Sequence, residues 1–283
     1  AKLPDLIAEA EEAGVIVNKT SKMVCNWNPV GGGGVTNTEI TGIPVSWLVE
    51  KAGGYLDDTT GVRVMRADGS SKRAFPKDKL DDNEALLVYK IGGEYLDATR
   101  GYPCTNWVEG VDAQINSKQV ASYNVTNEDI DYTDKWAGNP NAWQNEAGDM
   151  MNKPNATILG VPDGLIIQNG QPYTFNGYVD GYDQKIASVE FSMDQGETWT
   201  KYDLADTDVN KMIWWNFTWT PEKEGAYCLT VRATTEEGLT SYETQTVMIN
   251  AKDVMPTPEQ TTVLETASLV PAKADAAATE EEK

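Results

Sequence analysis

Between residues 156 and 251 one local pattern recurs. Apolar and polar side chains alternate over short runs at 173–179, 186–193, 199–204, 213–219, 226–233 and 241–249. A period of two puts apolar side chains on one face of an extended strand and polar ones on the other. Turn formers separate the runs, among them Gly181, Asp194-Gln195-Gly196 and Glu236-Glu237-Gly238. About six or seven strands at roughly ten-residue spacing predict a β-sandwich of immunoglobulin-like type. Within it Cys228 reads as a small core residue, and Ser192-x-Asp194-x-Gly196-x-Thr198-Trp199 as a tight hairpin with a packed Trp.

Residues 1–150 mix the two periods. Val45, Leu48, Val49 and Ala52 share one face of a helix expected over 44–52. Pro44 suits its first turn and Gly53-Gly54 ends it. A second helix is expected over 5–13. Strands are expected at 62–65 and 85–89, a short helical turn at 77–80, and extended chain at 107–108 and 120–125. From about 126 to 155 the chain is polar and rich in Asn, Asp, Gly and Pro, which reads as a long irregular connection. Residues 252–283 lack aromatics and end in Glu280-Glu281-Glu282-Lys283, so that stretch reads as a disordered acidic tail. The expected class is α+β: a mixed α/β domain over 1–150, a sandwich over 156–251 and the tail.

Composition removes several functions. The chain of 283 residues has no histidine, so hydrolases with a histidine base, His-ligated zinc and His-held haem are excluded. Net charge is -21, which repels nucleic acid. No apolar run reaches the roughly 18 residues of a membrane span. Cys25, Cys104 and Cys228 allow at most one disulfide. The high acidity suits an exported protein, periplasmic or extracellular.

The chemistry concentrates in one stretch. An apolar strand ends in Cys25, and the chain enters Asn26-Trp27-Asn28-Pro29-Val30 and then Gly31-Gly32-Gly33-Gly34. A thiolate at a strand end is placed to hold a soft metal, and glycines let backbone N–H groups approach an anion. An ordinary strand and loop with a buried cysteine satisfies the same residues.

Four further stretches follow in order: Thr41-Gly42-Ile43-Pro44-Val45 into the helix, Ala85-Leu86-Leu87-Val88-Tyr89-Lys90-Ile91-Gly92-Gly93-Glu94-Tyr95-Leu96, Arg100-Gly101-Tyr102-Pro103, and Ser192 to Trp199. With the Cys25 loop, this set resembles the sulfite oxidase family of molybdopterin-dependent oxidoreductases across roughly residues 20–250. The resemblance implies a molybdopterin-binding domain followed by an immunoglobulin-like dimerisation domain, with a homodimer formed through the sandwich. It makes Cys25 the molybdenum ligand and Asn28, Arg100 and Lys118 cofactor-binding residues. Tyr132 becomes the catalytic residue that orients the substrate. It implies a small oxo-substrate, such as sulfite or a sulfoxide, and an electron-transfer partner. No haem or flavin motif is present.

Charge near such a site matters, since the cofactor phosphate and sulfite are anions. Residues 61–100 hold eight Lys and Arg against seven Asp and Glu in an otherwise acidic chain. Thr105 stands where the family carries Arg, and Ile115 or Asn116 where it carries a basic or small residue. A non-catalytic relative that keeps the fold for assembly or surface binding is therefore the second reading.

Overall fold

A computed structural model describes residues 1–25, 28–71, 74–111, 113–130, 154–241 and 244–256. Tyr132, most of the 126–155 connection and residues 257–283 of the tail lie outside the described residues.

The chain opens with helix α1 (Leu3–Glu12), strands β1 (Val17–Val24) and β2 (Val35–Pro44), and helix α2 (Val45–Lys51). Strands β3 (Gly61–Arg66) and β4 (Phe75–Pro76) follow, then a 3₁₀ segment at Lys77–Asn83. Next come β5 (Ala85–Ile91), β6 (Glu94–Tyr95), β7 (Thr105–Val108) and β8 (Val120–Thr126). Antiparallel pairing orders β1-β2-β5-β6, with β7 also on β5, while β4-β3-β8 forms a separate sheet.

This region is mostly β, which corrects the mixed α/β expectation: two short α-helices are its only α-helices among the described residues. The physical reason lies in β1 and β2. Asn18-Lys19-Thr20-Ser21-Lys22 has no apolar alternation, yet it is extended because it pairs with β2 along the whole strand, from Val17 opposite Gly42 to Val24 opposite Val35. Tertiary pairing overrides the weak local signal. The expected helices are present with ends shifted by a residue or two, and the 3₁₀ turn starts at Lys77 as expected and runs three residues further, to Asn83.

The second half has eight strands: β9 (Asn155–Leu159), β10 (Leu165–Gln168), β11 (Tyr173–Asp180), β12 (Ile186–Ser192), β13 (Thr200–Asp203), β14 (Ile213–Trp219), β15 (Gly225–Thr235) and β16 (Gln245–Lys252). They form a five-stranded sheet ordered β10-β16-β15-β12-β13 and a three-stranded sheet ordered β14-β11-β9. Inward side chains of both sheets share one core. Phe191 lies flat on Phe217 with ring centres 4.4 Å apart and meets Trp215 edge-on at 4.9 Å. Burying such a ring contributes about 1.5–3 kcal/mol by itself. Cys228 is buried in β15, as its alternating neighbours predict.

In the Ser192 hairpin, Asp194 accepts from the Thr198 amide at 2.9 Å and from the Thr198 and Ser192 hydroxyls. Hydrogen bonds from Thr198 pull its carboxyl down to about 2. Trp199 is covered by the Arg232 guanidinium, 3.9 Å from the ring centre.

The two halves are joined through β1. Lys22, only 8% exposed, reaches into the sandwich, where its ammonium donates to Asp180 at 2.5 Å and to the Tyr182 carbonyl at 2.6 Å. Its own amide donates to the Asn210 carbonyl at 2.7 Å. Asn37 adds a reciprocal pair with the Met212 backbone.

Candidate active site

Cys25 leaves β1 at the junction between the halves. Its thiol is half-buried and unpaired, whereas Cys104 and Cys228 are buried. The loop behind it closes on itself. The Cys25 amide donates to the Gly34 carbonyl at 2.8 Å, the Asn28 amide to the Cys25 carbonyl at 3.0 Å, and the Gly32 amide to the Pro29 carbonyl at 2.9 Å. Asn28 is buried, and its Oδ1 accepts the Gly34 amide at 2.7 Å. Its Nδ2 donates to the Tyr178 hydroxyl of β11 at 3.1 Å. That side chain is engaged with the loop and the sandwich.

Arg100 and Lys118 are brought together. The Lys118 ammonium donates to the Thr99 carbonyl at 2.5 Å. Gly101 lies so close to Lys118 that an added Cβ would stand 2.7 Å from the lysine Cβ, and its φ is +102°. Only glycine accommodates both demands without strain. Both cationic side chains are exposed. Arg66 joins them by donating from Nε to the Lys118 carbonyl at 3.3 Å. Asp68 pairs with Arg66 at 3.5 Å, and Asp97, whose carboxyl is held below its usual range by the Thr99 hydroxyl and the Arg100 amide, lies on the turn with Arg100. The exposed Arg100 and Lys118, from neighbouring segments, can take an anionic group.

One chain segment connects thiol strand and cations. The Ala113 amide donates to the Val24 carbonyl, next to Cys25, at 2.9 Å. Lys118 follows five residues on, a reach of at most about 18 Å in extended chain. Arg66 belongs to the basic stretch visible in the sequence, but its place beside Lys118 depends on the β3–β8 pairing. Tyr178, Asn155 and Lys22 carried no sequence signal, since each reads as an ordinary strand residue.

The positions that depart from the family pattern point inward. Thr105 is buried, its hydroxyl donating to the Ser117 carbonyl at 2.9 Å, and Ile115 is buried in a core with Val62 and Val64.

Residues 13–134 match the family described as oxidoreductase molybdopterin binding domain. Over that region, less than half of the chain, the sequence is similar to molybdopterin-binding oxidoreductase domains. It is similar to an NADH nitrate reductase of Brassica napus, with 26% identity over 211 residues, 63% of this chain and 23% of that one. The chain thus spans about a quarter of the length of that curated relative. The crystal structure of the sulfane dehydrogenase SoxCD from Paracoccus pantotrophus superposes with a TM-score of 0.65 at 20% identity. That match covers 80% of this chain and 62% of that one, and it shows a shared fold. No helix among the described residues is long and apolar enough to cross a membrane.

A molybdenum cofactor bringing its own sulfur ligands needs one protein thiolate and a cationic place for its phosphate. The chain offers one half-buried free thiol and one cationic turn, and no cluster of three or more His, Cys, Asp or Glu among the described residues could hold a bare metal ion. The residues fit such a group.

Proposed function

We propose that the chain holds a molybdenum-pterin cofactor and works as an oxidoreductase that transfers an oxygen atom to or from a small substrate, such as sulfite or a sulfoxide. The supporting observation is the half-buried Cys25 thiol on a loop closed by its own hydrogen bonds. When bound, the cofactor supplies the redox centre and the place of oxygen transfer.

The chain's residues do the rest. Cys25 holds the metal through its sulfur. Lys118, Arg100 and Arg66 neutralise the pterin phosphate, which offsets the repulsion of an acidic chain for an anion. Asn28 keeps the loop in shape. Tyr132 orients the substrate. The sandwich serves as the immunoglobulin-like pairing face of a homodimer, and electrons leave to a separate partner.

Expression in a host that makes the cofactor, followed by metal analysis, tests this reading. The expected result is stoichiometric molybdenum in the native protein and a loss of at least about tenfold in Cys25→Ser, at unchanged circular dichroism. A native protein free of molybdenum and pterin overturns it, as does undiminished metal in Cys25→Ser.

The second reading, a non-catalytic relative, rests on the inward-facing Thr105 and Ile115. It expects a folded protein in which Cys25→Ala changes no measured property.

A further inference from the structure

The sandwich meets the thiol loop at three points. Tyr178 is 2% exposed; its hydroxyl accepts from Asn28 Nδ2 at 3.1 Å and donates to the Gly32 carbonyl. Asn155 Nδ2 on β9 donates to the Pro29 carbonyl at 3.0 Å. Gly31, with φ +73°, rests on Gln245 of β16, whose side-chain carbonyl carbon would stand 2.7 Å from any Cβ there. The connection to the sulfur is short. Tyr178 holds Asn28, Asn28 holds the Gly34 amide, and the Gly34 carbonyl holds the Cys25 amide. Burial pushes the Tyr178 phenol above its usual range.

We infer that Tyr178 is a positioning residue for the Cys25 thiol: its hydroxyl, supplied by the sandwich, fixes the 28–34 loop and with it the direction in which the sulfur leaves β1. Its consequence for metal retention rests on the proposed role of Cys25 as ligand; its consequence for the loop does not. Phenylalanine at 178 keeps the ring and leaves both Asn28 Nδ2 and the Gly32 carbonyl without their partner, which frees the loop where it is otherwise buried.

The test is iodoacetamide alkylation of the full, metal-free chain, with each thiol followed by mass spectrometry. Tyr178→Phe is expected to raise the Cys25 rate about tenfold. Cys104 and Cys228, both buried, are expected to keep their rates, which separates loop release from general loosening. Trp214→Ala removes the exposed ring 6.4 Å from that of Tyr178 but keeps the hydroxyl, and should change the Cys25 rate less than about twofold. Should Tyr178→Phe not fold, Asn28→Asp carries the same test. It retains the acceptor for Gly34 and lacks the donor to Tyr178, and the same rise is expected. An unchanged Cys25 rate, or equal acceleration of all three thiols, overturns the inference.

Molybdenum retention in a cofactor-making host separates the two claims. Tyr178→Phe is expected to retain several-fold less metal than wild type. A metal-free wild type ends the ligand role of Cys25, while the thiol rates still decide the role of Tyr178. A metal-loaded wild type with unchanged thiol rates in Tyr178→Phe ends the positioning role and leaves the ligand role standing.

Discussion

The two halves of the chain are held together differently. The sandwich gathers sixteen buried apolar residues into one core. The described residues of 1–130 divide theirs into clusters of ten, six and four. Small separate cores cannot by themselves fix a loop to a fraction of an ångström, because each buries little area and each can shift against the next. The half that carries Cys25 therefore draws rigidity from its neighbour, through Lys22, Asn28, Pro29 and Gly31.

The largest expected effect tests that dependence. Lys22→Met leaves Asp180 buried without its charge partner and should cost about 3–5 kcal/mol in urea unfolding. Lys51→Met breaks an ion pair with Glu9 whose side chains are 41% and 45% exposed, and should cost at most about 1 kcal/mol. Equal losses would show that the junction contributes no more than a surface contact.

A smaller effect separates the cores by pH. Burial raises the Cys104 thiol from 9.0 to about 11 in the folded state. A folded pKa above the unfolded one means stability is intact below pH 9 and declines as pH rises towards 11. The loss should be about 1 kcal/mol near about pH 10. Cys104→Ala should flatten the slope between pH 9 and about 10 in chemical denaturation, below the range of the Tyr89 and Tyr123 phenols, which burial also raises. If the slope persists, the six-residue cluster around Cys104 does not set it.

The smallest effect lies in the hairpin. The Asp194 carboxyl is lowered to about 2, so its contribution is present above pH 3.8 and is lost as pH falls through about 2. Trp199 fluorescence should report a local acid transition in that window, and Asp194→Asn should flatten it. A transition of equal size in Asp194→Asn would place its cause elsewhere.

The same contrast explains what was legible in the sequence. Most sandwich strands announce themselves because one face is buried, so alternation survives in β11, β12, β14, β15 and β16, whereas β13 is exposed throughout. β9 and β10 are short and show no clean alternation, so no sequence signal marks them. The helix over 44–52 was legible through its capping proline and its apolar face. Strand β1 was visible only as the stretch ending in Cys25, since its pairing with β2 is non-local and its residues are polar. Of the site, Cys25 and the Arg100–Lys118 pair were legible as residue types in a family order. That Arg66 joins them, and that Tyr178 grips the loop, depends on chain separations of 52 and 150 residues. No local pattern encodes such distances.

One consequence follows from the placement of Lys22 three positions before Cys25. The strand that delivers the sulfur is riveted to the other half just upstream, and the loop beyond it is clasped by that half again. The sandwich is then no interchangeable appendage. Severing the polypeptide between the halves, or swapping in a foreign sandwich, would leave a thiol on a slack tether, however well the first half folded.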